Sequence, residues 1–156
     1  MLYKLYSYLK YVWLSKNQHG VHSPFVYDLI TKSIYTQSKT NKSKKKRIIE
    51  GIFQHVTIKS YKKVGNPFMS FDSSKIQYST DGLQLIHIEN PTLIRSLKKE
   101  TNQLIVIEKI HHNRHFENNW KVFLKSQPKI ISLDFFVIGI VFAKDTQAKE
   151  HFILRA

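Results

Sequence analysis

The chain has 156 residues, 42% apolar and 23% charged, which is enough for one packed domain and incompatible with a wholly disordered chain. Lys and Arg outnumber Asp and Glu by 25 to 11, a formal net charge of +14, so the surface attracts nucleic acid, phosphates or anionic lipid. Cysteine is absent, which excludes disulfides, thiolate metal sites and a thiol nucleophile and fits a cytoplasmic location.

The opening "MLYKLYSYLKYVWLSK" is broken by Lys4 and Lys10 and lacks a small-residue cleavage site, so it reads as neither signal peptide nor transmembrane segment. Leu2, Leu5, Leu9, Val12 and Trp13 recur at helical spacing, which predicts a helix whose apolar stripe packs on the domain. The alternative is a membrane-surface helix with Lys4, Lys10 and Lys16 toward the headgroups. "NQHG" ends this helix. Ser23 then serves as N-cap and Pro24 as first residue of a second helix, "PFVYDLITKSIY", with Phe25, Leu29 and Ile34 inward. His19 and His22 fall in the turn between them, and residues 1–35 form a helical N-terminal extension.

Residues 36–47, "TQSKTNKSKKKR", read as a basic linker or loop, with Lys42, Lys44, Lys45, Lys46 and Arg47 as candidate anion-binding residues. The remaining 48–156 form an α/β domain. "RIIEGIFQHV" predicts a short helix, while "KSYKKVGNPFMSFDSS" fits no regular element. "KIQYS" and "LQLIHIEN" predict strands joined through "TDG" as a hairpin. "PTLIRSLKKE" predicts a brief helix, and "QLIVIEK" a strand covered on both faces. "NRHFENNWKVFLKSQ" predicts a helix from Phe116, Trp120 and Leu124, with Asn113 as its cap. "KIISLDFF", "IGIVFAK" and "HFILRA" close the chain as strands. This order predicts a parallel sheet with helices on its faces, ending in an antiparallel hairpin. His111 and His115 are four apart, but the Asn113 cap leaves His111 outside the helix, so no metal site is predicted. No phosphate-binding loop or Ser-His-Asp arrangement is legible.

"HGVHSPFVYDLI" near the start and "WKVFLKSQPKIISLDFFVIGIVFAKDTQAKEHFILR" at the end resemble the two ends of class I S-adenosylmethionine-dependent methyltransferase-like proteins of Bacteroidetes. The resemblance implies a shortened Rossmann-like sheet, with His19 and His22 lying over a cofactor cleft. It implies S-adenosylmethionine as cofactor only if the site survives. The family's Gly-rich turn and following acidic residue are missing, and Gly65 and Glu89 are the nearest substitutes. Where the family carries paired aspartates, this chain has Glu108 and Lys109, and His111 matches the histidine that follows. The departures fall on the chemical positions, which implies a non-catalytic relative acting by binding or self-association. A shortened sheet exposes an edge, from which a homodimer is expected. The alternatives are an active methyltransferase using Glu89, Glu108 and His111, and a basic module binding nucleic acid or an anionic surface.

Overall fold

The computed structural model describes residues 2–37, 42–97, 100–145 and 148–156. Its centre is one six-stranded mixed sheet in the order β1-β2-β3-β5-β4-β6. The strands are β1 (Ile58–Val64), β2 (Leu83–Ile88), β3 (Gln103–Glu108), β4 (Ile130–Asp134), β5 (Ile138–Ala143) and β6 (Glu150–Ile153). β1, β2 and β3 are parallel, β5 lies antiparallel between β3 and β4, and β6 runs parallel to β4. Every strand except β5 therefore ends at the same margin, the carboxyl edge.

The alternation of side chains along the strands divides the core in two. Leu85, Leu104, Val106, Leu133 and Phe142 meet α2 (Pro24–Leu29) and α3 (Lys44–His55) on one face. Ile86, Ile105, Ile107 and Val141 meet Trp120 of α4 (Arg114–Ser126) and Ile94 of a 3₁₀ turn, Pro91–Ser96, on the other. Asn113 caps α4 as expected, accepting from the Phe116 N–H at 2.8 Å. Burying Ile48, Ile52 and Phe53 of α3 stabilises the fold by roughly 1.5–3 kcal/mol per side chain. Gly51 lies against the Ile34 backbone, where an added Cβ would stand 2.7 Å from Ile34 Cα, so this crossing requires glycine.

Several expectations are corrected. The predicted linker over 36–47 ends inside α3. Lys44 to Arg47 form its first turn, Ser43 caps it by accepting the Lys46 N–H at 3.3 Å, and residues 38–41 lie outside the described residues. Nor are the preceding helices an extension, since Val26, Leu29, Ile30 and Ile34 belong to the core shared with the sheet. Ser23 sits at the N-cap position of α2, yet its hydroxyl makes no capping bond; its backbone carbonyl accepts the Tyr27 N–H at 2.8 Å instead. The helix then widens, and the Tyr35 N–H bonds the Ile30 carbonyl five residues back.

The hairpin predicted through "TDG" does not form. β2 is buried on both sides and takes two parallel partners, while "KIQYS" contributes only a bridge from Tyr78 to Ile58. Its partner β1 came from the stretch that fitted no element, because Lys59, Lys62 and Lys63 give an edge strand little apolar alternation. Those lysines also discourage pairing with another chain. At the opposite edge, the Lys16 N–H bonds the Ile153 carbonyl at 2.8 Å and Lys16 bridges Leu154. One edge strand thus carries lysines, and the other is met at its end by Lys16.

The largest correction concerns α1 (Leu2–Leu14). It buries only Ser7 and Tyr11, while Leu2, Leu5, Leu9 and Trp13 point to solvent. The surface beneath offers hydrogen-bond acceptors, which Tyr3, Ser7 and Tyr11 satisfy and leucines cannot. Tyr3 donates to Glu117 Oε2 at 2.7 Å, and the Tyr11 hydroxyl donates to the Leu154 carbonyl.

Candidate functional site

In open sheets with parallel strands, ligands collect beyond the carboxyl ends of the strands. Here two carboxylate–imidazole clusters occupy that edge, one on each face of the sheet. On the α3 face, Glu108 ends β3 with no solvent exposure and takes a 2.7 Å bond from His87 Nε2, one strand away. The Met69 N–H donates to the same Glu108 oxygen at 2.9 Å. The other oxygen, Oε2, has no hydrogen-bond partner among the described residues, and Lys45 Nζ stands 4.0 Å from it. Burial alone would raise the Glu108 carboxyl, but His87 and the Met69 N–H outweigh it and hold it below the usual carboxylate range.

The ring of His87 is covered by Phe71, stacked 4.3 Å away at 19°, and Phe71 also meets Tyr61 and Phe53. The segment after β1 thus folds back over the ends of β2 and β3. Gly65 allows this reversal at φ 75°, a left-handed conformation suited to glycine. A Cβ there would lie 2.5 Å from Leu93 Cδ1 and 2.9 Å from Glu89 Oε2, so the close approach is to the chain's own side chains. Glu89 accepts the Asn66 N–H at 3.1 Å and pairs with Lys109 Nζ at 3.4 Å. The Asn66 N–H and Lys109 hold its carboxyl below the ordinary range. Gly65 and Glu89 thus lie side by side, and the polar partners of Glu89 are supplied by the same chain.

On the α4 face, His111 lies between two carboxylates, with Nε2 2.6 Å from Asp134 Oδ2 and Nδ1 3.1 Å from Glu117 Oε2. Asp134 also accepts from Trp120 Nε1 at 3.3 Å and from the Phe136 N–H at 2.8 Å. Glu117 accepts from Ser7 at 2.8 Å, from Tyr3 and from Lys121. Phe136 stacks on the imidazole at 5.1 Å. Burial by itself would lower the His111 pKa, yet Asp134 and Glu117 outweigh it and raise it above the ordinary value.

Ser7 Oγ stands 3.3 Å from His111 Nδ1, so a serine, a histidine and an aspartate meet that the sequence did not connect. They do not form a nucleophile. Both imidazole nitrogens are committed to carboxylates, which leaves no lone pair to accept the serine proton, and Ser7 is itself buried. This cluster is a clasp between α1, α4 and β4. Asp134 and Glu117 escaped the sequence reading; the one legible hint was an acid closing a strongly apolar strand, "IISLD".

The remaining candidates lie apart. His19 and His22 are exposed in the turn between α1 and α2, which follows the Lys16 bridge to Leu154 beyond β6. His112 is exposed just before α4, and His115 is exposed in its first turn. The basic run is divided among internal partners: Lys42 pairs with Glu50 at 2.5 Å, Lys44 lies 5.5 Å over the Tyr11 ring and Lys45 faces Glu108, while Lys46 is exposed. Among the described residues, no group of three or more His, Asp or Glu side chains is arranged to hold a metal ion. No family model, curated protein or solved structure matches the chain.

Proposed function

We propose that this chain is a shortened, non-catalytic relative of the methyltransferase-like proteins it resembles, retained as a binding scaffold. The observation that carries this reading is the sealing of the carboxyl edge by the chain itself. Residues 66–71 cover the ends of β2 and β3, and α1 lies over the end of β4. The antiparallel β5 between β3 and β4 is the kind of closing hairpin that this class of protein carries, which supports the resemblance.

S-adenosylmethionine does not fit the residues present. A nucleotide-like cofactor needs a crevice at a point where the strand order reverses, with free backbone amides and an acid for the ribose. β1, β2, β3 and β4 instead advance in one direction across the sheet. Glu89, the acid nearest the ribose position, is already bonded to Asn66 and Lys109.

Calorimetric titration with S-adenosylmethionine and S-adenosylhomocysteine at low salt tests the proposal. The expected result is no saturable heat up to millimolar ligand. Micromolar binding abolished by Glu89→Ala would overturn it and make the chain a methyltransferase with a reduced site.

A further inference from the structure

We propose that the outer face of α1 docks on an anionic lipid bilayer. The proposal goes beyond the scaffold reading and does not depend on the state of the cofactor cleft. Leu2, Leu5, Tyr6, Leu9 and Trp13 fall within an arc of about 100° on a helical wheel. Their exposures are 84%, 57%, 64%, 59% and 84%, an uninterrupted apolar stripe along a helix roughly 20 Å long. Scattered exposed leucines need no explanation, but a contiguous stripe of this kind marks an interaction surface.

Charge selects the partner. Lys10 borders the stripe on one side, and Lys4 lies beyond Tyr8 on the other, both exposed. Beside Lys10, a surface depression between α1 and α4 is lined by Tyr6, Lys10, Arg114 and Lys121. Its one carboxylate, Glu117, is buried and engaged by Tyr3, Ser7, His111 and Lys121. Among the described residues no carboxylate comes within ion-pair distance of Lys4, Lys10 or Arg114. An apolar arc flanked by unneutralised cations, with Trp and Tyr at its border, matches the boundary between acyl chains and anionic headgroups. A second copy of this chain would instead bring +14 against +14. The helix is held by its polar side, through Tyr3, Ser7 and Tyr11, so docking requires no unfolding.

Full-length protein is floated with vesicles of phosphatidylcholine alone and of equal parts phosphatidylcholine and phosphatidylserine. Co-flotation with the mixed vesicles is expected, with a blue shift of tryptophan emission from Trp13, since Trp120 is the only other tryptophan and is already buried. Leu9→Gln with Trp13→Gln should weaken binding at least about tenfold while leaving the circular dichroism unchanged. Lys4→Gln with Lys10→Gln should cost about fivefold per lysine on anionic vesicles. Failure of the wild type to bind mixed vesicles overturns the proposal, as does binding indifferent to the apolar pair. Concentration-dependent self-association that disappears in Leu9→Gln with Trp13→Gln, without vesicle binding, would assign the stripe to a second copy and likewise overturn it.

Discussion

α1 and α4 are each 13 residues long and each carries an apolar stripe, yet they lie on the protein in opposite senses. α4 turns Trp120 into the sheet, whose second face of isoleucines would otherwise be wet. α1 lies over the carboxyl edge, where Glu117, Asp134, His111 and the Leu154 carbonyl need hydrogen-bond partners. There the residues that dock are Tyr3, Ser7 and Tyr11, and the leucines are turned out. The comparison teaches that a stripe marks a helix, while the chemistry of the receiving surface decides which side is buried.

The sharpest way to break this comparison is to truncate the corresponding tryptophans. Trp120, 1% exposed, fills the space against Gly139 and Ile110, so Trp120→Ala should cost about 3–5 kcal/mol in urea unfolding. Trp13→Ala should change stability by less than about 0.5 kcal/mol. Equal effects would mean that α1 packs through its leucine stripe after all.

A middle-sized effect is expected at the clasp. Glu117→Ala removes one carboxylate from His111 together with the acceptor of Tyr3 and Ser7, and should destabilise by about 1.5–3 kcal/mol. Amide exchange and proteolysis should rise first in α1. Exchange that rises uniformly through the sheet would show that α1 is not held by this contact.

The smallest effect is the pH dependence, and its sign follows from the same residues. The folded pKa of His111 is raised above the ordinary 6.5, so its contribution is full below about 6.5 and is lost as pH rises through the folded value. The Glu117 carboxyl is depressed: burial would raise it, but Lys121, Tyr3, Ser7 and His111 outweigh that. Its contribution is full above about 4.5 and is lost as pH falls through the folded value. The stability difference between wild type and His111→Asn should therefore be largest between about pH 4.5 and 6.5 and shrink toward alkaline pH. A difference that grows from pH 6 to pH 9, measured by urea midpoints, would refute the charged clasp.

Both routes to the carboxyl-edge clusters show what a sequence conceals. Glu108 and His111 were legible as candidates only through the resemblance, at the place of the family's paired aspartates and of the histidine that follows them. Their partners were not, since His87, Asp134 and Glu117 come from separate elements and meet only once β2, β4 and α4 are in place. Met69 and Phe71 lay in a stretch without periodicity, and only the reversal at Gly65 brings them over the sheet.

The sequence by itself determined the elements whose signal is local. The Asn113 cap, the Pro24 helix start, the doubly buried β3 and the closing strands follow from capping geometry and from apolar runs that must leave water. Only the tertiary structure decided the pairing of β2, the strand at β1, the closure of the carboxyl edge and the outward stripe of α1. Each depends on a partner distant in the chain. A lysine-rich edge strand gains its order from its neighbour, and an amphipathic helix buries whichever side its receiving surface can satisfy.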